Sequence, residues 1–290
     1  MKNLFFALRP KHWIKNLFIF IPLIFGEKLF VFPLNLKVAY AFVLFSAMSS
    51  AVYLVNDICD VEKDRNHRTK RLRPIASGKV SVWQAWMTVF ILTFIVLILS
   101  FRLEGKLGVL LLSYFMLNLF YTRTLKDVVI IDVFCIAIFF LMRILAGTVI
   151  TGVALSHWMV FMVVLLAMFI GFNKRRQEIL TARENAHAQR SVLAKYDRYF
   201  IDQMIAVLTS SIVVVYMLYT VDARTIGIFG SNHLIYSIPF VYYGIFRYLY
   251  LVHKRRRGED PTVLILSDRI LAIDVGLWVL ACIAIIYFKI

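Results

Sequence analysis

The densest group of residues able to perform chemistry lies between Asn56 and Gly78, where the sequence reads NDICDVEKDRNHRTKRLRPIASG. Four oxygen-bearing side chains form an NDxxDxxxD pattern: Asn56, Asp57, Asp60 and Asp64. Seven basic or histidine side chains follow them: Arg65, His67, Arg68, Lys70, Arg71, Arg73 and Lys79. Carboxylates suit Mg²⁺, which keeps water and substrate phosphate among its ligands, and cations pair with phosphate oxygens. The stretch therefore predicts a site for Mg²⁺ and a diphosphate group.

The spacing within this stretch predicts which residues bind the metal and which bind phosphate. If the preceding helix continues, Asp57, Asp60 and Asp64 lie at i, i+3 and i+7 on one face, with Asn56 adjacent. These four are the predicted metal ligands. The predicted phosphate-binding cations are Lys70, Arg71 and Arg73, the arginines offering bidentate geometry. The alternative is a solvated loop rich in ion pairs, which we consider weaker because three aspartates at helical spacing sit together at a membrane boundary.

The elements that must position these residues are membrane helices. The chain has 290 residues, 61% of them hydrophobic, and a mean hydropathy of +0.78. Soluble domains average about 45–50% apolar residues, and the apolar runs here are continuous rather than alternating, which favours helices over a barrel. We expect an all-α bundle forming one membrane domain over 1–290, with about nine spans. They lie near 14–33, 37–55, 83–101, 107–121, 128–150, 154–172, 200–221, 233–252 and 268–288.

The net charge of +16 raises the question of nucleic-acid binding. With nine spans, however, most lysines and arginines fall on the face that holds the N-terminus, as the positive-inside rule requires. This distribution explains the charge without a nucleic acid. It places the N-terminus and the long loops 56–82, 173–199 and 253–267 in the cytoplasm, so we predict a multi-pass protein of the cell membrane with a cytoplasmic site.

Other charged residues near the membrane are further candidates. Arg143 lies within an apolar span, where a charge is expensive and by default marks function; the alternative is a buried pair with Asp132 or another intramembrane group. For the other charged residues a non-catalytic explanation is also available, namely interfacial anchoring or the positive-inside bias at a helix end. They are Arg9 and Lys15 before the first span, Tyr121 and Lys126 near a short connection, and Lys174, Arg176 and Glu178 after the sixth.

The first motif, the nine spans and the cytoplasmic loops together resemble the UbiA superfamily of intramembrane prenyltransferases. Members of that superfamily bind an isoprenoid diphosphate through two Asp-rich motifs bridged by Mg²⁺, the second normally DxxxD just after span six. Here that position reads NKRRQE, residues 173–178. The departure is similar to the decaprenyl-phosphate phosphoribosyltransferase branch, as are RPKHWIKN at 9–16, Tyr121–Lys126, Arg143-x-x-Ala-Gly147 and Pro261 with Asp268-Arg269.

This resemblance implies transfer of 5-phosphoribose from phosphoribosyl diphosphate to a polyprenyl phosphate, with Mg²⁺ as cofactor and diphosphate as product, in lipid-linked sugar precursor synthesis for the cell envelope. Catalytic roles are then expected for Asp57, Asp60, Lys70 and Arg73. Lys174, Arg176 and Glu178 would hold the 5-phosphate and the ribose hydroxyls, and the lipid phosphate would lie near Arg9, Lys15 or Arg143.

Two alternatives stay open at this point. One is a Mg²⁺-dependent prenyltransferase acting on an aromatic or other small acceptor, which shares the fold and the first motif. The other is a transporter, which would spread charges through several spans and carry paired inverted segments. The expected partners are phosphoribosyl diphosphate, a polyprenyl phosphate and the membrane; a homo-oligomer is compatible with the sequence.

Overall fold

The computed structural model describes residues 2–66, 69–182, 193, 195–255 and 267–289. Within these ranges every regular element is a helix, and seven helices are long and apolar enough to cross a membrane. They are α3 (Phe32–Cys59), α5 (Val82–Leu103), α6 (Gly105–Arg123), α7 (Ile131–Thr151), α8 (His157–Ala182), α9 (Arg198–Val221) and α12 (Arg269–Phe288). The prediction of an all-helical, multi-pass membrane protein is confirmed. Residues 173–182 of the predicted loop 173–199 are not a loop but continue α8, whereas residues 183–192 and 194 of that loop and residues 256–266 of the loop 253–267 lie outside the described residues.

Shorter helices complete the chain. The α-helices are α1 (Lys2–Ala7), α2 (Ile21–Phe25), α4 (Val61–Arg65), α10 (Ala223–Phe229) and α11 (Ile238–Arg255). The 3₁₀ helices are Pro10–Phe20, Lys70–Leu72, Leu125–Asp127 and His233–Ser237.

The predicted count of nine spans is not confirmed, because the first and eighth are not long apolar α-helices. In place of the span 14–33 the chain forms the 3₁₀ helix Pro10–Phe20, then α2 with Pro22 in its first turn, and it turns at Glu27 with φ 54°. A 3₁₀ helix rises about 2 Å per residue, so the two elements together extend about 30 Å, close to the thickness of a bilayer core. The eighth is shortened because residues 233–237 form a 3₁₀ helix before α11.

The described helices fall into two compact units. The first contains residues 1–135 and 142–154. Its centre is α3, which packs against α5, α6 and the 3₁₀ helix Pro10–Phe20. Of the most apolar 18-residue stretch of α3, 67% is buried. Only 17% of the most apolar 18-residue stretch of α5 is buried, so most of this helix is exposed.

The chain returns from α3 to α5 through a compact polar turn. Val80 N donates to Pro74 O at 3.0 Å, and Gly78 between them has φ 76°, a left-handed conformation that glycine tolerates best. A capping box then starts α5, because Ser81 and Gln84 each accept a bond from the other's backbone N–H at 3.1 Å. The predicted polar segment therefore ends in a defined turn before α5.

The second unit contains residues 136–141, 155–185 and 191–290. Within it α8 packs against α9 and α11 against α12. Arg247 on α11 donates to both carboxylate oxygens of Asp268, at 3.2 and 2.9 Å, and Asp268 also caps the N-terminus of α12. This pairing joins α11 to α12, the described elements on either side of residues 256–266 in the sequence.

Candidate functional site

The N-terminal segment, residues 8–20, lies along one face of α3. The α3 residues that meet it are Ser46, Ser50, Tyr53 and Asp57, whose spacings of four, three and four place them in one stripe. Asn16 Nδ2 donates to Ser46 Oγ at 2.9 Å, Trp13 Nε1 donates to Ser50 Oγ at 3.0 Å, and the His12 and Tyr53 ring centroids lie 5.5 Å apart. The segment therefore runs antiparallel to α3 in a single register, and its first residues reach the end of α3 that carries the NDxxDxxxD motif.

Arg9 occupies the point where this segment meets the motif. Its backbone is left-handed, with φ 54° and ψ 57°, a region that residues with a Cβ seldom adopt. Its Nη2 donates to Asp57 Oδ1, and its guanidinium lies 5.3 Å from the centre of the Tyr53 ring. Asp57 is only 2% exposed, so Arg9 supplies a cation to a buried carboxylate.

Arg73 joins two of the three aspartates. Its Nη1 donates to Asp57 Oδ1 at 3.1 Å and to Asp64 Oδ2 at 2.6 Å. Asp64 lies on α4 and is as buried as Asp57. The residues at i and i+7 of the motif therefore converge on one guanidinium.

Asp60 takes a different direction from its two neighbours. It ends α3 with φ −99° and ψ 10°, although Asp64 N still donates to Asp60 O at 2.8 Å. Its carboxylate accepts from Lys126 Nζ at 2.9 Å, and Lys126 is buried. The three aspartates thus do not share one regular helix face, because the helix breaks at the middle one.

A second helix, α6, contacts α3 beside the stripe that the N-terminal segment occupies. On α6, Tyr114, Asn118 and Thr122 follow at intervals of four, each linked to the next by a bond to a backbone carbonyl. Tyr114 Oη lies 3.3 Å from Ser49 Oγ of α3, and Thr122 Oγ1 donates to Asn56 Oδ1. Lys126 follows in the next turn, so α6 aligns a cation with Asp60 just as the N-terminal segment aligns Arg9 with Asp57.

The acidic cluster, Asp57, Asp60 and Asp64, is thus matched by Arg9, Arg73 and Lys126. Within the described ranges no group of three or more His, Cys, Asp or Glu is arranged to hold a metal ion, since Asp60 turns toward Lys126. The donor set is nevertheless suited to Mg²⁺, because it offers hard oxygen atoms and Asp57 and Asp64 already converge on a single charged nitrogen. The residues fit such an ion in chemistry, provided that the cations now on the carboxylates move aside.

Arg143 lies deep in the first unit and is 4% exposed. Its Nε donates to Asn16 Oδ1 at 2.8 Å and its Nη2 donates to Tyr114 Oη at 3.2 Å. The guanidinium also lies 5.2 Å from the Phe45 ring centre and 5.4 Å from that of Tyr114. It therefore links α7 to both the N-terminal segment and α6.

The remaining candidates of the first unit lie nearer the surface. Lys15, Lys70 and Tyr121 are half-buried and Arg71 is exposed. Each of the first three takes part in contacts within the protein, and their roles toward a substrate stay predictions.

The second unit carries its own charged group at the end of α8. Arg175 is fully buried and donates to Glu178, one turn further along the helix, whereas Arg176 donates from Nε to Asp202 on α9 at 2.5 Å. Arg198 Nε also lies 3.6 Å from Asp202. Lys174 is half-buried. Two members of the predicted trio Lys174, Arg176 and Glu178 therefore belong to different ion pairs within this unit, Glu178 with Arg175 and Arg176 with Asp202.

Several residues that shape these sites were not singled out by the sequence. Thr122, Tyr114 and Asn118 share a helical spacing of four, which was a usable signal. Arg175, which was missed, has the i, i+3 spacing of a helical ion pair to the predicted Glu178. Asp202 has no local signal, because its partner lies 26 residues earlier in the chain.

Comparisons with known proteins agree with these features. A family model described as the UbiA prenyltransferase family matches residues 17–267. A decaprenyl-phosphate phosphoribosyltransferase of Mycobacterium tuberculosis is 32% identical over 277 residues, which cover 94% of this chain and 90% of the relative. One from Mycolicibacterium smegmatis is 32% identical over 298 residues, covering 98% and 92%. A solved UbiA homolog from Archaeoglobus fulgidus, bound to GPP and Mg²⁺, has a TM-score of 0.69 at 17% identity, covering 98% and 99%, and shares the fold.

Proposed function

The chain belongs to the UbiA prenyltransferase family, and we propose that it transfers a 5-phosphoribosyl group from phosphoribosyl diphosphate to a polyprenyl phosphate of the decaprenyl type. Two relatives named as decaprenyl-phosphate phosphoribosyltransferases align with it over nearly its whole length. The observation that favours phosphoribosyl over prenyl transfer is the end of α8. Buried Arg175 and Arg176 stand there, where the family resemblance implies a second carboxylate motif for prenyl diphosphate.

A Mg²⁺ ion would be held by Asp57 and Asp64, with Asp60 and Asn56 as the further oxygen donors of the motif. When bound, the metal would neutralise charge on the diphosphate leaving group. A neighbour of the same fold was solved with Mg²⁺, which supports a divalent ion in this site. The side chains of this protein that accompany the ion are Arg9, Arg73, Lys126 and Lys70.

Of these cations, Arg73, Lys126 and Lys70 would bind the phosphate oxygens of the donor when it enters the site. Arg73 has a forked group of donors, and it can move from the carboxylates to a diphosphate without losing charge-assisted bonds. In the transfer, the bond between ribose C1 and the diphosphate oxygen breaks and the electron pair leaves with the diphosphate. An oxygen of the acceptor phosphate forms the new bond to C1, from the opposite side, which inverts the anomeric centre.

No general base is needed for this step, because a phosphate monoester is largely ionised at neutral pH. The task of the protein is instead to place charge where it develops. Arg73 and Lys70 would stabilise the departing diphosphate, and Arg9 or Lys15 would meet the acceptor phosphate. Lys174, Arg176 and Glu178 are retained as the predicted ligands of the 5-phosphate and ribose hydroxyls, and Arg71 and Tyr121 as predicted substrate contacts.

The reaction would take place at the cytoplasmic face of the cell membrane, because the positive-inside pattern directs the acidic cluster there. The product, a lipid-linked phosphopentose, is a precursor for an envelope polysaccharide. Homo-oligomerisation stays a prediction.

The test is a transfer assay with purified protein in detergent and lipid. Phosphoribosyl diphosphate labelled in the ribose is supplied with decaprenyl phosphate and Mg²⁺, and label is counted in the lipid phase. The proposal expects metal-dependent transfer that is lost when Asp57→Asn and Asp60→Asn are combined, whereas Lys79→Gln, an exposed charge in the same segment, retains it.

A parallel assay separates this reaction from prenyl transfer. Geranyl diphosphate is offered with an aromatic acid, and Arg176→Ala is compared with the wild type in both assays. Loss of phosphoribosyl transfer in Arg176→Ala supports the role proposed for the end of α8. Prenyl transfer by the wild type, with no lipid labelling from the phosphoribosyl donor, would contradict the proposal.

A further inference from the structure

We propose that Arg143 affects the reaction without touching a substrate, by fixing the N-terminal segment so that Arg9 is delivered to Asp57. Arg143 is then a positioning residue, and the candidate role given to it above as a lipid-phosphate ligand passes to Arg9. The inference rests on the proposed function in one respect, namely that Arg9 meets a substrate phosphate when it leaves Asp57.

The position of Arg143 along α3 separates it from the reaction centre. Its partner Asn16 bonds to Ser46, whereas Arg9 bonds to Asp57, eleven residues further along the same helix. A rise of 1.5 Å per residue places these two levels about 16 Å apart. The Arg143 guanidinium, which is 4% exposed and lies at the level of Ser46, is too far from Asp57 to bond to a diphosphate held there.

The contacts of Arg143 describe a junction of three elements. Its Nε holds the side chain of Asn16 in the N-terminal segment, and its Nη2 holds Tyr114 on α6. Burying a charge in a membrane domain is expensive, and here every one of these named contacts joins one structural element to another. The physical effect is to set the height of the segment along α3.

That height determines where Arg9 falls. Ser50 Oγ donates to Leu8 O at 2.9 Å and accepts from Trp13 Nε1, so the residues on both sides of Arg9 are bound to one α3 side chain. A left-handed arginine persists only when its surroundings over-determine it. If the segment slid by one residue, the Arg9 guanidinium would no longer reach Asp57.

Gly147 provides a second way to disturb the position of the N-terminal segment along α3. It lies one turn after Arg143 on α7, and a Cβ added there would stand 2.2 Å from the carbonyl oxygen of Ile19 in the N-terminal segment. Gly147→Ala therefore displaces the segment while leaving the Arg143 side chain intact.

The test is a double-mutant cycle in the transfer assay, with Arg9→Gln, Arg143→Gln and the two combined. Each single change should lower kcat/KM at least about 10-fold. The double variant should have a kcat/KM less than about 2-fold below that of Arg9→Gln alone, because the effects of coupled residues are non-additive. Full additivity would overturn the proposal, since it would mean that Arg143 meets a substrate independently of Arg9. Lys11→Gln, which removes an exposed charge from the same segment, is the matched control and should leave kcat/KM unchanged.

Hydrogen exchange of the backbone amides in residues 11–16 is the second measurement, and it needs no substrate. We expect exchange to rise at least about 10-fold in Arg143→Gln and Gly147→Ala but not in Arg9→Gln. Unchanged exchange in both variants would refute the positioning role. If wild-type protein transfers no phosphoribose, this measurement still decides the question, so failure of the proposed function is distinguished from failure of the inference. If Arg143→Gln does not fold, Asn16→Ala replaces it in both experiments; this variant keeps the Arg143 side chain and removes the two bonds that Asn16 makes, to Arg143 and to Ser46.

Discussion

Replacing Arg73 by glutamine should tighten metal binding in the absence of donor while weakening donor binding. The reason is that Arg73 now occupies the two carboxylates that would hold the metal, Asp57 and Asp64. Glutamine keeps a hydrogen-bonding group, on a shorter side chain, but removes the positive charge. Two buried carboxylates would then face each other across the space that the guanidinium had neutralised.

The magnitude follows from the geometry of the bridge. The two oxygens that share Nη1 can be no farther apart than about 5.7 Å, the contacts of 3.1 and 2.6 Å laid end to end. At an effective dielectric constant of about 20, two like charges at that distance repel by about 3 kcal/mol, which corresponds to about 100-fold in a binding constant. Because the Arg73 side chain is 29% exposed, solvent screens part of this, and we expect metal affinity to rise about 10-fold to 100-fold.

The assay is binding of Mn²⁺, a spectroscopic substitute for Mg²⁺, to purified protein without donor, followed by electron paramagnetic resonance. Arg73→Gln should lower the Kd for Mn²⁺ by the stated factor and raise the KM for phosphoribosyl diphosphate. Lys79→Gln removes one charge from the same segment, where it is exposed, and controls for the change in net charge. Metal affinity that is unchanged or weaker in Arg73→Gln would refute the reasoning that arginine and metal compete for the same oxygens.

Two further predictions concern other contacts. Lys126→Gln removes the buried cation from Asp60. Since a hydrogen bond to a charged group contributes about 1.5–3 kcal/mol, this change should lower kcat/KM about 10-fold to 100-fold. The control is Arg123→Gln, an exposed cation nearby, and a loss no larger than that of the control would show that Lys126 does not serve the site. In the second unit, Tyr216→Phe removes the hydroxyl that lies 2.6 Å from Ser237 Oγ and accepts from Trp278 Nε1 at 2.9 Å, so it should destabilise the folded protein by about 1 kcal/mol. A lower midpoint of thermal unfolding in detergent, compared with exposed Tyr236→Phe, would show this, and equal midpoints would contradict it.

The features that the sequence predicted well are those determined by neighbouring residues. Continuous apolar runs of about 20 residues are sufficient to predict membrane helices, and α3, α5, α6, α7, α8, α9 and α12 confirm that class. The first span shows where local prediction fails. Its apolar length was recognised, but the 3₁₀ geometry of Pro10–Phe20 was not, because no residue pattern distinguishes the tighter helix.

The NDxxDxxxD motif shows, for single residues, the same limit of prediction from local sequence. Spacing alone identified Asp57 and Asp64 as neighbours on one helical face, and in the structure both bond to Arg73. Spacing also placed Asp60 with them, whereas the break in α3 at that residue directs it to Lys126. A helix periodicity predicts directions only as far as the helix continues.

The sequence by itself therefore determined the kind of protein, the acidic cluster and the presence of many nearby cations. Only the tertiary structure decided which cation meets which carboxylate. Arg9 and Asp57 are 48 residues apart, Lys126 and Asp60 are 66 apart, and Arg143 and Asn16 are 127 apart. Pairs at such separations depend on how the N-terminal segment, α6 and α7 pack against α3 and one another, and that packing is a property of surfaces that no single stretch of residues contains.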